Sequence, residues 1–583
     1  MSTEPEIVGK ECRFAIHIPP KHPDVPDFHL VKEILHFKDG TTKPNTAFVR
    51  DYKRSFYVTK KQYQNHQQKK EDEILDKLHR YETTQSNLRN AVAKALGIGW
   101  SNAQYRQLAS SPYLYGSDIS STALIKQDYR DKYPDAVSPY SVAFFDIETD
   151  VVHGTDDPIM ATIVYKDKIF TAILESAVQG HFNPLDTLRK LLHEHLGTYI
   201  EKYHFEVEFK IAKDPVELIK ESISRAHQWS PDFLAIWNIN FDIPRVLDTL
   251  KKYNVDPADV FSDPRLSPEL RFCKYKKGST KKITASGQVK PKNPSEQWHS
   301  LYCPASFFVI DAMCTYRFVR QGEQELPYYS LDYVLEHNLG VRKLNFNEAS
   351  EVEEGSLDWH IFMQSKYMLH YVIYNIFDCI GMYLLEEKNN DLSQSLPAQS
   401  FATDFSHFNS QTKKFADKYH FFVQRYGCVI GTIGQVEKKA EETDPSDPEV
   451  DDEDDDEFSE FTDKDDVLSL RRWIVTLPSH LSALGQSVIE ESDQLLSQVR
   501  MMVYDIDAVS AYPSCASVAN VSRETTSKEI IDIVGIPEDQ FRVNNMNILE
   551  GHVNALEYGN KMHQLPTPQQ SLSLFDDLIC TPE

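Results

Sequence analysis

Residues 141–149 read Ser-Val-Ala-Phe-Phe-Asp-Ile-Glu-Thr, and this stretch decides how the central part of the chain folds. Its apolar start predicts a buried strand, and two acids follow at Asp146 and Glu148. Because side chains alternate between the two faces of a strand, both carboxylates are expected on one face. Two like charges held together are unfavourable without a cation between them, so the pair is a candidate metal site. Acid pairs with this spacing are also common on exposed loops, and the pair alone identifies no function.

A third acid, Asp242, lies in the stretch Trp-Asn-Ile-Asn-Phe-Asp-Ile-Pro at 237–244, directly after an apolar run at 233–237. The pattern predicts a strand that gives way to a helix near this acid. Asp242 is a candidate catalytic acid. Alternatively it caps the N-terminus of the helix, an interpretation that Pro244 favours.

A fourth acid, Asp378, follows Tyr374 by four residues within a predicted helix at 365–387. This spacing places the phenol and the carboxylate on the same helical face. Tyr371 lies one turn earlier, so Tyr374 can equally belong to a tyrosine stripe that faces the core. Asp378 requires a partner, because a lone acid among apolar neighbours is unfavourable.

In combination, these acids resemble the proofreading exonuclease of family B DNA polymerases, with Asp-x-Glu, Asn-x-x-Phe-Asp and Tyr-x-x-x-Asp in that order. The resemblance implies an RNase-H-like domain in which Asp146, Glu148, Asp242 and Asp378 hold two Mg²⁺ (or Mn²⁺) ions about 4 Å apart. Such ions stabilise the attacking and leaving oxygens of an in-line phosphodiester displacement. Tyr374 is then expected to orient the attacking water.

The resemblance continues outside the acids. Segments 308–316, 327–333 and 340–344 are similar to the stretch before the third motif in phage replicative polymerases. The family also implies that Asn238 and Phe241 contact DNA. Two residues separate Asn238 from Phe241, where the phage branch often has three.

A lysine-rich segment with glycines lies between the second and third motifs, where these polymerases carry a β-hairpin that helps to part primer from template. The segment is therefore predicted to contact DNA phosphates and separate strands, although a solvated loop is an equal alternative. The predicted contacts are Lys274, Lys276, Lys277, Lys281 and Lys282.

Residues 504–514 (Tyr-Asp-Ile-Asp-Ala-Val-Ser-Ala-Tyr-Pro-Ser) resemble motif A of the polymerase palm in the same family. The resemblance implies that Asp507 is a metal ligand and that the Ala508 carbonyl is another. Asp505, on the same predicted strand face, is the competing ligand.

Motif A also implies a nucleotide pocket, with backbone amides near Ser510 and Ala511 for the deoxynucleotide and the Tyr512 ring excluding a ribose. Only 76 residues follow Asp507, without a Lys-x-x-x-Asn-Ser-x-Tyr-Gly helix or an Asp-Thr-Asp-Ser hairpin. Nucleotidyl transfer requires both metal ions to be held. We therefore expect a second polypeptide to supply the fingers, the rest of the palm and the thumb.

Residues 570–578 (Gln-Ser-Leu-Ser-Leu-Phe-Asp-Asp-Leu) resemble the short peptides with which polymerases bind sliding clamps. Apolar anchors in a polar tail suit a hydrophobic groove on a partner. The alternative is a tail that packs on its own domain or on a partner subunit. The predicted clamp contacts are Gln570, Leu572, Leu574 and Phe575.

Composition excludes several classes of protein. The net charge of −26 argues against DNA binding until its distribution is considered, because 441–466 alone carries 16 acids and one lysine. Eight scattered cysteines without a Cys-x-x-Cys pair argue against a zinc site and favour a reduced compartment. No apolar run approaches the roughly 18 residues of a membrane span, and no signal peptide is apparent. The prediction is a cytoplasmic protein, in the host cell if the source is a phage.

The chain is predicted to be a multidomain α/β protein. A β-rich start at 12–60 is followed by a helix at 60–96 that Gly97 ends, and 155–250 alternates strands and helices. The predicted regions are an N-terminal domain (1–140), the RNase-H-like exonuclease (141–390), a helical connector (391–440), a disordered acidic insertion (441–466), a partial polymerase palm (467–565) and a C-terminal tail (566–583).

The sequence thus predicts the exonuclease-bearing N-terminal subunit of a split family B replicative polymerase, acting on primer–template DNA and single-stranded 3′ ends. The main alternative is a stand-alone 3′→5′ exonuclease with a vestigial palm fragment. A third is a clamp-tethered scaffold whose acids are structural. Restoration of primer extension by a chain with the Asp-Thr-Asp motif would separate the first two.

Overall fold

A computed structural model describes residues 6–432, apart from gaps at 22–24, 68, 99–104, 284–288, 322–324, 347–351, 353–354, 401–402, 404 and 406–410. Helices hold 43% of the described residues and strands 26%, so the fold is mixed α/β, as predicted. Several predictions fall outside the described residues. These are the acidic insertion (441–466), the partial palm with Asp507, Ala508, Ser510, Ala511 and Tyr512, and the tail with Gln570, Leu572, Leu574 and Phe575.

The N-terminal region is built mainly from short antiparallel sheets. Its strands are β1 (Ile7–Ile18), β2 (Phe28–Phe37), β3 (Thr42–Arg50), β4 (Arg54–Thr59), β5 (Asp72–Ile74), β6 (Leu78–Thr83) and β7 (Leu114–Tyr115), and its helices are α1 (Leu88–Leu96), α2 (Tyr105–Ala109) and α3 (Ser121–Lys132). Strands β1, β2 and β3 form one sheet in that order, and β6, β4 and β7 form another. The predicted β-rich start is therefore confirmed.

The helix predicted at 60–96 is wrong for most of its length. Strands β5 and β6 occupy its middle, and α1 begins only at Leu88. Pairing of β6 with β4 overrides the local helical spacing of this stretch, and Tyr81 in β6 is exposed. Gly97 does end the helix, with a left-handed φ of 72° that favours glycine.

The central region contains a six-stranded mixed sheet in the order β11-β10-β9-β8-β12-β17. Its elements are β8 (Val142–Thr149), β9 (Pro158–Tyr165), β10 (Lys168–Leu174), α4 (Pro184–Tyr203), β11 (Glu206–Ala212), α5 (Pro215–Trp229), β12 (Phe233–Ile236), α6 (Ile239–Lys252), α7 (Pro257–Phe261), β13 (Lys274–Lys276), β14 (Lys281–Ile283), β15 (Val289–Pro291), β16 (Ser300–Tyr302), β17 (Phe308–Asp311), α8 (Ala312–Val319), α9 (Leu331–Leu339), α10 (Leu357–Lys366) and α11 (Met368–Asn389). Strand β8 pairs antiparallel with β9 and parallel with β12. Helices α5, α6 and α11 pack against this sheet.

The strands and helices predicted for this region are confirmed. Strand β9 is buried at every position, because helices cover it, and α5 buries one helical face. The single helix predicted at 365–387 is divided at Tyr367 into α10 and α11. Among the described residues, only α11 is long and apolar enough to cross a membrane. Because 89% of its most apolar window is buried inside the protein, α11 has the burial of a core helix.

The described part of the predicted helical connector at 391–440 contains a strand as well as helices. It contains α12 (Leu396–Gln399) and α13 (Gln411–Gln424), followed by strand β18 (Cys428–Ile430). Strand β18 pairs antiparallel with β5. The chain therefore returns to the N-terminal region after it has completed the central sheet.

Candidate metal centre

Strand β8 carries the first two acids of the site. Asp146 and Glu148 are half-buried, whereas Ile147 and Thr149 between and after them are buried. This alternation is that of a strand with both carboxylates on one face. Strand β8 lies inside the sheet between β9 and β12, so pairing with a neighbouring strand on each side restrains the backbone that carries the acids.

Helix α11 brings Asp378 to the same place. Carboxylate oxygens of Asp146, Glu148 and Asp378 lie within 4.8 Å of one another, although more than 200 residues separate the strand from the helix. Hard divalent cations prefer such oxygen ligands. This buried acidic cluster can therefore hold a metal ion.

Asp242 lies in the first turn of α6 and is 2% exposed. The interpretation of Asp242 as the helix cap is wrong, because Asn238 occupies the N-cap position and the helix continues through Pro244. Asp242 is not part of the cluster defined by the 4.8 Å distance. Its charge nevertheless acts on Asp146 and raises the pKa of that carboxyl.

Burial and mutual repulsion keep protons on these acids in the metal-free protein. Burial, together with the charges of Asp242 and Asp378, raises the pKa of Asp146 well above its usual range. Burial and the charge of Glu148 do the same to the pKa of Asp242. Burial raises the pKa of Glu148 to about 7. Each of these shifts means that ionising the acids side by side in this site is unfavourable when no cation is bound.

Lys343 is the cation that offsets part of this repulsion. Its Nζ lies 2.6 Å from Oδ2 of Asp378 and 3.2 Å from the Tyr374 hydroxyl. Burial lowers the pKa of Lys343, but the charge of Asp378 and the Tyr374 phenol outweigh it and hold that pKa well above its usual value. Lys343 lies in the segment 340–344 that resembles phage replicative polymerases, but the resemblance gave it no role.

Tyr374 combines the two interpretations that its sequence position allowed. It is 3% exposed, and its ring centroid lies 4.9 Å from that of Trp359, so it packs in the core. Its hydroxyl still reaches the acidic cluster through Lys343. Because Lys343 Nζ donates to this hydroxyl, the phenol proton remains available to a further acceptor.

Two further side chains of α11 hold the acids, and sequence reasoning missed both roles. Asn375 Nδ2 donates to Oδ2 of Asp146 at 2.7 Å, and the Tyr371 hydroxyl donates to Oε2 of Glu148. The signal was available in their spacing, since residues 371, 375 and 378 lie on one helical face. The sequence pattern linked Tyr371 only to core packing and gave no role to Asn375.

Two buried carboxylate oxygens, one in the cluster and one on Asp242, have no hydrogen-bond partner among the described residues. Oδ2 of Asp242 and Oδ1 of Asp378 are buried and accept no hydrogen bond within the described part of the chain. A buried acceptor without a donor is rare, and a bound ion is one explanation. The donor set therefore fits a divalent cation.

Two of the predicted DNA contacts, Asn238 and Phe241, lie at the start of α6, within four residues of Asp242. Asn238 is exposed, and Phe241 is 38% exposed with the Arg245 guanidinium 4.7 Å from its ring centroid. The Tyr275 hydroxyl donates to Oδ1 of Asn240 at 3.2 Å and so ties the lysine-rich segment to α6.

The lysine-rich segment contains β13, which pairs with β16, and β14, which pairs with β15. The lysine side chains described as exposed are Lys274, Lys276, Lys277 and Lys281; the side chain of Lys282 is outside the described set. Short antiparallel strands are thus present where a hairpin was predicted. Their contact with DNA stays a prediction.

Comparison with protein-family models finds no match, and none of the curated proteins matches this chain.

Metal binding is expected to strengthen as the pH rises from 6 to 8. Below about pH 7 the folded protein keeps a proton on Glu148 that an unfolded chain has released, and the raised pKa of Asp146 acts in the same direction, so rising pH destabilises the metal-free protein. A cation must displace these protons, which gives roughly a tenfold gain in affinity per pH unit for each proton released. Isothermal titration with Mn²⁺ in two buffers of different ionisation enthalpy measures both quantities. Equal affinity at pH 6 and 8 contradicts the proposed ligands.

Proposed function

We propose that this chain is a 3′→5′ exodeoxyribonuclease that uses two divalent cations, Mg²⁺ or Mn²⁺. The observation that carries the proposal is the convergence of acids from β8 and α11 on one site, with Asp242 of α6 close enough to act on Asp146 and with carboxylate oxygens left unpartnered. Asp146, Glu148, Asp242 and Asp378 would hold the cations. Four carboxylates of net charge −4 balance two divalent cations.

The sheet supports an RNase-H-like fold for the domain. Strands β8, β9 and β10 form an antiparallel meander, and β12 and β17 continue the sheet parallel to β8. This mixed sheet is typical of RNase-H-like domains. It places the acids of β8 beside the start of α6, where Asp242 lies.

The chemistry expected of the chain is positioning and charge control. Bound cations would stabilise the charge on the attacking and leaving oxygens of the scissile phosphodiester. Tyr374 would orient a water with the phenol proton that Lys343 leaves free, and Lys343 would hold Asp378 in place. The exposed ring of Phe241 and the Asn238 side chain would contact the terminal nucleotides of a single strand.

The larger proposal is that the chain belongs to a split family B replicative polymerase. It depends on Asp507 and the surrounding motif, on a second polypeptide and on deoxynucleotides, with the sliding clamp as a further partner. A stand-alone exonuclease is the alternative that needs only the described site. Both share the nuclease activity, which is therefore tested first.

Purified chain is expected to release mononucleotides from the 3′ end of single-stranded DNA when Mg²⁺ or Mn²⁺ is added. The expected products of a 5′-labelled oligonucleotide are a descending ladder, since removal starts at the 3′ end. EDTA should stop the reaction, and a 3′-phosphorothioate linkage should slow it. Metal-dependent cleavage at internal positions, or no cleavage under any divalent cation, would exclude the proposal.

A further inference from the structure

Glu148 is held by a relay of side chains that begins on α10. The Tyr371 hydroxyl donates to Oε2 of Glu148, and Nδ1 of His360 lies 2.7 Å from the same hydroxyl. The His360 nitrogen is 4.0 Å from Oε2 of Glu148, so it reaches the carboxylate mainly through the tyrosine. Both partners come from outside the strand that carries the acid.

The single proton of the phenol determines which group donates in each of these two hydrogen bonds. A phenol has one proton, and Tyr371 directs it to Glu148. The hydrogen bond between His360 and Tyr371 then requires the Nδ1–H tautomer, with the imidazole as donor and the phenol oxygen as acceptor. A donor behind the phenol oxygen restricts the rotation of the hydroxyl and orients its proton towards the carboxylate.

The same helix also holds the backbone of the acid-bearing strand. One turn after His360, Gln364 Nε2 donates to the Thr149 carbonyl at 2.8 Å, and Val151 N donates to Gln364 Oε1 at 3.2 Å. Thr149 directly follows Glu148 in β8. Helix α10 therefore restrains Glu148 at two points, through its side chain and through the adjacent backbone.

We propose that His360 and Tyr371 are positioning residues that act as one unit to fix the Glu148 carboxylate for metal binding. The inference rests on the proposed function for its metal, but it concerns a pair of residues to which the family resemblance gave no role. Groups that hydrogen-bond to metal ligands typically change metal affinity or activity 10- to 100-fold when they are removed. Residues that act as a unit also show non-additive effects.

The test is a double-mutant cycle with Mn²⁺ affinity as the readout, measured by the EPR signal of free Mn²⁺. Tyr371→Phe and His360→Leu are each expected to weaken binding by about 10-fold or more, and the double variant to be no weaker than Tyr371→Phe alone. His360→Asn, which retains a donor near the Nδ1 position, is expected to recover most of the affinity. Tyr383→Phe removes a hydroxyl from the same helix, three turns away, and should leave affinity unchanged.

Additive losses in the double variant would overturn the relay, and so would wild-type affinity in Tyr371→Phe. Circular dichroism identifies a His360→Leu variant that fails to fold, and the near-isosteric Tyr371→Phe then decides alone. Because Mn²⁺ affinity is measured without DNA, failure of the relay can be distinguished from failure of the proposed nuclease function. A chain that binds Mn²⁺ but cleaves no DNA would contradict the exonuclease and leave the relay to be judged by the cycle.

Discussion

Replacing Asp146 with alanine is expected to lower the rate of mononucleotide release by at least ~10³-fold at saturating Mg²⁺. The carboxylate is central to the cluster, since it faces Glu148 and Asp378 and accepts a hydrogen bond from Asn375. Losing a cation removes several kcal/mol of charge stabilisation from the transition state, and about 4 kcal/mol corresponds to 10³-fold. Single-turnover cleavage of a 5′-labelled single strand measures the loss.

The matched control for this substitution is Asp186→Ala. Asp186 is an exposed aspartate on α4 that pairs only with Arg189 among the described residues, and its loss should leave the rate within about twofold. If Asp146→Ala keeps more than a tenth of the wild-type rate, Asp146 does not hold a catalytic cation. The acids would then be structural, as the scaffold interpretation requires.

Replacing Lys343 with methionine is expected to lower the free energy of unfolding by about 3–5 kcal/mol in EDTA. Lys343 Nζ lies 2.6 Å from the buried Asp378 carboxylate, and without it that charge faces the other acids uncompensated. Removing one partner of a buried ion pair costs more than removing both. Urea unfolding followed by circular dichroism measures the change.

A double variant and a surface control test whether the loss of stability comes from the unpaired charge of Asp378. Lys343→Met combined with Asp378→Asn is expected to recover much of the lost stability, because no unpaired charge remains at that position. Lys210→Met, which breaks the half-buried surface pair with Glu221, should change stability by less than about 1 kcal/mol. A Lys343→Met chain as stable as wild type would show that Lys343 does not neutralise the cluster.

Local sequence patterns were sufficient to predict the strand and the helix that carry the clustered acids. The apolar run before Asp146 predicted β8, and the four-residue spacing of Tyr374 and Asp378 predicted their shared helical face. Both features depend on a few consecutive residues and on burial. The expectation that these elements converge with α6 rested on a family resemblance and not on local pattern.

The contacts between elements were not predictable in this way. Lys343 lies in a loop segment, and its ammonium meets Asp378 only because α9 and α11 pack together. His360 reaches Glu148 through Tyr371, across two helices and a strand. The helix predicted at 60–96 was wrong for the same reason, because pairing of β5 with β18 and of β6 with β4 overrides the local helical spacing.

Because β18 pairs with β5, this two-stranded sheet can form in the nascent chain only after β18 has been synthesised. Asp72–Ile74 is synthesised more than 350 residues before Cys428–Ile430, its strand partner. Until ribosomal synthesis passes Ile430, the backbone edge of β5 has no cover from β18. The small sheet of β5 and β18 can therefore form only after the whole central sheet has been synthesised, and a polypeptide cut after α11 would keep the β5 edge open to association with other chains.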